Sequence, residues 1–155
     1  PSEISNKYKG FREYILFHIS SRKEENRYSQ DKFKAIIDNL GYDKILLSAE
    51  PMDFEHAQWL SDNTQATFVK TSSLTDLSGL IQNVKLFITL DGGAMHIAPA
   101  LGIKTISISG ETNMNKWCPW GYKDLVIQDE SKIANNIKPN RIIDKIKEEA
   151  NEIFH

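Results

Sequence analysis

Leu86-Phe87-Ile88-Thr89-Leu90-Asp91-Gly92-Gly93-Ala94-Met95-His96 joins an almost wholly apolar run of strand length to an acid, two glycines and a small-residue stretch. Apolar residues at successive positions suit a strand covered on both faces, as in the middle of a parallel sheet. Residues 94–101 read as a short helix that begins as the strand ends. Outward from this stretch the apolar period switches repeatedly between strand and helix. Tyr14-Ile15-Leu16-Phe17, Ile45-Leu46-Leu47 and Thr67-Phe68-Val69 are strand candidates before it. Thr105-Ile106-Ser107-Ile108-Ser109 and Leu125-Val126-Ile127 are strand candidates after it. Phe33, Ile36, Ile37 and Leu40 fall on one helical face, with Gly41 where a left-handed cap belongs. A second helix is expected over 53–62. Ser73 opens a third, with Leu74, Leu77, Ile81 and Val84 on one face and Asp76 in its first turn. Asn140 is the expected cap of a last helix carrying Ile142, Ile146, Ala150 and Ile153 on one side.

Six strands alternating with helices predict an α/β fold. The specific expectation is a Rossmann-like three-layer domain, with a parallel, doubly wound sheet of about six strands, spanning 1–155 as one unit. The 155 residues suit one domain, and 40% hydrophobic with 26% charged residues argues against disorder. A net charge of −2 lacks the basic excess of a duplex-binding protein, so no nucleic-acid partner is expected. The one cysteine, Cys118, excludes an internal disulfide framework, fits a reducing cytosol and reads as a packed or bystander thiol. No apolar run reaches the roughly 18 residues of a membrane span. Pro1-Ser2-Glu3 has neither the pattern of a signal peptide nor an initiator Met, so the chain is expected to be processed or cut from something longer.

Ligands of such sheets bind beyond the carboxyl ends of the strands, which points to the loops 18–29, 48–53, 91–96 and 110–122. The Asp91-Gly92-Gly93 turn admits two readings. Glycine lets a backbone approach a ligand, and the first N–H groups of the following helix lack partners, which together make a phosphate site. Alternatively, a tight strand-to-helix turn simply needs glycine. No Gly-x-Gly-x-x-Gly follows the first strand, and no Gly-x-x-x-x-Gly-Lys-Ser/Thr occurs, which counts against a dinucleotide cofactor and a P-loop hydrolase. Ser20-Ser21-Arg22-Lys23-Glu24-Glu25-Asn26-Arg27 brings hydroxyls and cations to the first strand's end, either to hold a diphosphate or as a charge-balanced solvated loop. His18, His56, His96 and His155 show no ligand spacing, so no metal site is expected. His18 reads equally as a partly buried strand-end residue or a functional one.

From residue 71 to about 127 the chain resembles the donor-binding domain of family 9 glycosyltransferases, the bacterial heptosyltransferases. The residues that carry the likeness are Leu74-Thr75-Asp76-Leu77-Ser78-Gly79-Leu80-Ile81, the stretch 87–102 around Asp91-Gly92-Gly93-Ala94-Met95-His96, Ser109-Gly110-Glu111-Thr112 and Trp117-Cys118-Pro119-Trp120-Gly121. Asn26-Arg27-Tyr28 with Phe33 is similar, more weakly, to a Lys-Arg-Trp segment of that family. The resemblance implies half of a two-domain GT-B architecture, transfer with inversion and without a metal, and a carboxylate base on an N-terminal acceptor domain outside this chain. It implies donor binding by Asp91, Gly92, Gly93, Ala94 and His96, faced by Ser20, Ser21 and Asn26, with Gly110 and Thr112 nearby and Glu50 or Asp53 on the ribose. His96 is the one candidate for a catalytic part, as a phosphate hydrogen-bond donor; bracing of the turn is the alternative. Two positions depart from the family pattern. Gly92 stands where a hydroxyl residue is usual, and Asn26 where a Lys is usual.

The resulting expectation is the donor-binding half of a glycosyltransferase of lipopolysaccharide or cell-surface polysaccharide synthesis. It would use a nucleoside-diphosphate sugar, ADP-heptose first, with no resident cofactor and a glycolipid or saccharide acceptor. The resemblance places the parent protein in the cytoplasm and allows peripheral association with the inner membrane. In a two-domain parent, part of the last helix is expected to cross to the partner domain. The rival readings are a nucleotide-binding module without transfer, and a nucleotide-sugar epimerase-like enzyme.

Overall fold

A computed structural model describes residues 7–111 and 125–154. Its strands are β1 (Ile15–His18), β2 (Ile45–Ser48), β3 (Thr67–Phe68), β4 (Leu86–Leu90), β5 (Thr105–Ser109) and β6 (Val126–Gln128). They form one sheet in the order β3-β2-β1-β4-β5-β6, with every neighbouring pair parallel. The helices are α1 (Gln30–Asn39), α2 (Phe54–Asn63), α3 (Leu74–Gln82), the single turn α4 (Ile97–Ala100) and α5 (Pro139–Glu149). The doubly wound α/β sheet expected from the sequence is present. β1 and β4 are buried at every position, which is why both read as nearly continuous apolar runs, interrupted only by His18 and Thr89.

Two apolar layers hold the sheet. On one face Ile15, Phe17, Ile45, Leu47, Ile88, Leu90, Ile106 and Ile108 meet Phe33 and Ile36 of α1 and Leu40 at its C-cap, Leu60 of α2, and Ile142 and Ile146 of α5. On the other, Leu16, Leu46 and Phe87 meet Tyr8, Leu77, Leu80, Ile81 and Ala98. Burying a side chain such as Phe17 or Leu80 is worth about 1.5–3 kcal/mol, so these layers dominate the stability. α1 begins at Ser29, whose hydroxyl accepts the Lys32 N–H, and ends at Gly41 with φ 73°, as its periodicity predicts. Among the described residues no helix is long and apolar enough to cross a membrane.

Several local expectations need correction. Residues 94–101 do not form one helix. A 3-10 turn, Gly93–His96, leads into the single turn of α4, because two glycines are poor helix formers and Pro99 has no N–H to donate. Leu74, the first residue of α3, is 68% exposed. Asp76 is instead buried, and accepts from the Tyr8 hydroxyl at 2.7 Å and the Ser72 N–H at 2.9 Å. Asn140 does not cap α5. Lys138 is the cap residue and Pro139 the first helical one, its fixed φ being suited to that place. α5 also stays on this sheet: Ile142, Ile143, Ile146 and Ala150 are buried, and Ile153 and Phe154 pack partly buried against the same layer. The apolar side of α5 is thus covered by this sheet among the described residues.

Candidate functional site

Strand order reverses between β1 and β4, so the chain leaves their carboxyl ends toward opposite faces and a crevice opens there. The loop after β1 is tied to each neighbouring loop. The Ser21 hydroxyl donates to the Asp91 C=O at 2.7 Å, after β4. Ser20 Oγ accepts the Glu50 N–H at 2.9 Å, after β2. Asn26 Oδ1 accepts the Gly110 N–H at 2.9 Å, after β5. Ser20 and Ser21 are 3% exposed and Asn26 4%, so these bonds are dry and hold the loops in register. Gly110 is needed for that closeness: a Cβ there would stand 1.9 Å from the Glu25 C=O.

Arg27 closes the same loop from the side. One guanidinium nitrogen donates to the Ser21 C=O at 2.7 Å and to Asp53 Oδ2 at 3.3 Å, the other to Asp53 Oδ1 at 2.5 Å. Burial by itself would push the Asp53 carboxyl up. The Arg27 and Ser20 hydrogen bonds and the nearby His56, whose Nδ1 lies 3.3 Å from Oδ1, hold it below its usual range. Of the two acids after β2, Asp53 is therefore compensated inside the protein. Glu50 keeps a partly exposed carboxylate, with a 3.4 Å contact to the exposed Arg22.

His18 ends β1 on the face shared by Leu16 and Phe87. Its register partners are Ser48 and Thr89, and Thr89 in turn faces Ser107, so one buried polar row crosses β2, β1, β4 and β5. His18 Nδ1 and Ser48 Oγ share a 2.8 Å hydrogen bond. Burial pulls the imidazole down to about 4, against a smaller opposing pull from Asp53, so it is neutral at pH 7. One step outward lies Asp91, 5% exposed. Among the described residues its Oδ2 has no hydrogen-bond partner, and neither do Ser107 Oγ and Ser109 Oγ.

The glycine turn itself is open. Gly92 has extended backbone, φ 164° and ψ −168°, and Gly93 is not among the positive-φ glycines. A Cβ on either would meet nothing within 4 Å. The protein's own packing thus requires glycine at neither position, in contrast to Gly110. The turn's first internal bond runs from the Met95 N–H to the Gly92 C=O at 3.1 Å, which leaves the Gly93 and Ala94 N–H groups ahead of it. A single α-helical turn behind them carries little macrodipole, so any anion here would be held by N–H groups directly. Met95 is buried beneath the turn, Ala94 is half-buried against the layer of α3, and His96 is exposed. Among the described residues the His96 side chain has no hydrogen bond that would brace the turn.

The structure brings Ser20, Ser21, Asn26, Glu50, Asp91, Gly92, Gly93, Ala94, His96 and Gly110 to one end of the sheet. Thr112, the 117–121 segment with Cys118, and His155 lie outside the described residues. Sequence reasoning missed the Arg27–Asp53 pair, the His18–Ser48 bond and the packing role of Gly110. Only the strand-end position of His18 and Ser48 carried any local signal. Among the described residues no group of three His, Cys, Asp or Glu side chains is gathered as a metal would require.

A relative in Escherichia coli, lipopolysaccharide heptosyltransferase 3, is 30% identical over 115 residues, 69% of this chain and 34% of its own length. The chain thus spans about a third of that curated relative. Among solved structures, a family 9 glycosyl transferase from Veillonella parvula DSM 2008 superposes with a TM-score of 0.81 at 19% identity, covering 97% of this chain and 52% of that one. The E. coli heptosyltransferase WaaC with ADP-2-deoxy-2-fluoro heptose gives 0.78 at 19% identity, over 90% and 44%. At such identities the superpositions speak for the fold. The family assignment comes from the sequence profile, which matches residues 2–146 under the description glycosyltransferase family 9 (heptosyltransferase), and to that family this chain belongs.

Proposed function

We propose that this chain is the donor-binding domain of an inverting, metal-independent glycosyltransferase that takes a nucleoside-diphosphate sugar, ADP-heptose first, in cell-surface polysaccharide or lipopolysaccharide synthesis. The observation that carries the reading is the pair Gly92-Gly93. The protein needs glycine at neither place, so the bare backbone there serves something that approaches from outside. A donor diphosphate would lie along the turn, accepting from the Gly93 and Ala94 N–H groups, with exposed His96 as a further donor. Glu50 rather than Asp53 would take the ribose hydroxyls, since Asp53 is already neutralised by Arg27.

In the transfer, an acceptor hydroxyl attacks the anomeric carbon as the bond to the diphosphate oxygen breaks. The nucleoside diphosphate departs with the electron pair, and N–H groups fixed at the turn stabilise its growing charge. The acceptor and the carboxylate base that takes its proton would come from an N-terminal domain outside these 155 residues. The parent protein would work in the cytoplasm, at or near the inner face of the membrane that carries its acceptor.

Calorimetric titration with ADP, UDP, GDP and CDP, on the wild type and Gly93→Val, tests this. A nucleoside diphosphate should bind the wild type. The valine side chain should obstruct the phosphate while leaving the circular-dichroism spectrum unchanged, since nothing in the protein stands in its way. Undiminished affinity in folded Gly93→Val would place the site elsewhere.

A further inference from the structure

Of the two arginines in the loop after β1, Arg22 is exposed and Arg27 is the partly buried one, which in a diphosphate-binding protein invites the reading of a phosphate cation. We propose instead that Arg27 is a positioning residue, which acts through Asp53 to hold the turn carrying Glu50; this rests on the donor-site reading above. Its fork is already filled: one arm bonds the Ser21 C=O and both arms bond the Asp53 carboxylate. Asp53 has a side chain only 2% exposed. Turning Arg27 toward a phosphate would strand that buried carboxylate, and removing one partner of such a pair is among the costlier changes a protein can suffer. His56 could not replace it, being exposed and charged only when protonated.

The pair also has a lever on the site. The Asp53 N–H donates to the Glu50 C=O at 2.9 Å across the turn Pro51–Asp53, and Pro51 stiffens that turn. The Glu50 N–H is meanwhile fixed by Ser20, a neighbour of the Ser21 whose carbonyl Arg27 holds. Glu50 is thus pinned from both sides, by Ser20 at its own N–H and by Asp53 through the turn. Arg27 joins the two anchors. A lysine could supply the charge but not reach both acceptors in the plane of a fork.

Titrations with ADP and with inorganic diphosphate separate positioning from phosphate binding, on the wild type, Arg27→Gln and Asp53→Asn. Positioning predicts that each variant loses about tenfold or more in ADP affinity, the loss of a charge-assisted hydrogen bond to the ribose. Diphosphate, which needs only the turn at Gly93 and Ala94, should bind all of them alike. A phosphate-binding Arg27 predicts the opposite sign at Asp53. Asp53→Asn would free the guanidinium and leave ADP affinity unchanged or raised, while Arg27→Gln would weaken diphosphate and ADP together; either result overturns the proposal. Should Asp53→Asn fail to fold, Arg27→Lys and Glu50→Gln read the same linkage. Their ADP losses should be non-additive in the double variant, and additive losses would refute it. A wild type that binds neither ADP nor diphosphate would remove the donor site itself, a failure distinct from that of Arg27's role.

Discussion

Acidification should weaken this protein through His18 well before its carboxylates titrate. The imidazole sits near pKa 4 in the folded chain, against about 6.5 when unfolded, because burial opposes its charged form. Between those values the unfolded chain takes up a proton that the native one refuses, so stability falls as the pH falls. The contribution is whole above pH 6.5 and is lost as the pH drops through 4. Its full size is about 3 kcal/mol, and about 2 kcal/mol of it disappears between pH 7 and pH 5. Urea unfolding of the wild type and His18→Gln at pH 7, 6 and 5 isolates this effect, since every other group is common to both. The wild type should lose about 2 kcal/mol more than the variant over that range. A parallel pH dependence in the two proteins, or an NMR titration of the His18 ring near 6.5, would refute the reasoning.

Gly110→Ala should drive a Cβ into the Glu25 carbonyl, 1.9 Å away, with Asn26 Oδ1 at 2.8 Å. Backbone must shift, and overpacking of this kind costs about 1–3 kcal/mol or more, so differential scanning calorimetry should show Tm lower by roughly 5 °C; an unchanged Tm would mean the loops after β1 and β5 do not meet. Ser107→Ala removes a buried hydroxyl that lacks a partner among the described residues, and should be neutral or stabilising by up to about 1 kcal/mol in chemical denaturation. A clear destabilisation would instead reveal an ordered water bound there.

The order of strands and helices was legible in the chain because it is written in local period. Leu86–Leu90 is apolar but for Thr89, Ile15–Phe17 is apolar throughout, and Phe33, Ile36, Ile37 and Leu40 repeat at helical spacing up to a glycine of positive φ. Six strand candidates alternating with helical periods leave few topologies open, and the observed order is the common doubly wound one. The glycine turn was legible for the same reason, since strand, acid and glycines are consecutive. What the turn is for was not. Only the three-dimensional arrangement shows that Gly92 and Gly93 have free space where Gly110 has none, because a missing Cβ is explained by what stands beside it rather than by its neighbours in the chain. The choice between Glu50 and Asp53 likewise lay beyond the sequence. They lie three positions apart, both follow β2, and both are acids. Their difference comes from Arg27, 26 residues earlier, which is brought against one of them by the parallel pairing of β1 with β2. Local chemistry thus decided which elements form and where the glycine turn falls among them. Contacts between strand-end loops, distant along the chain, decided which of their polar groups are already paired within the protein.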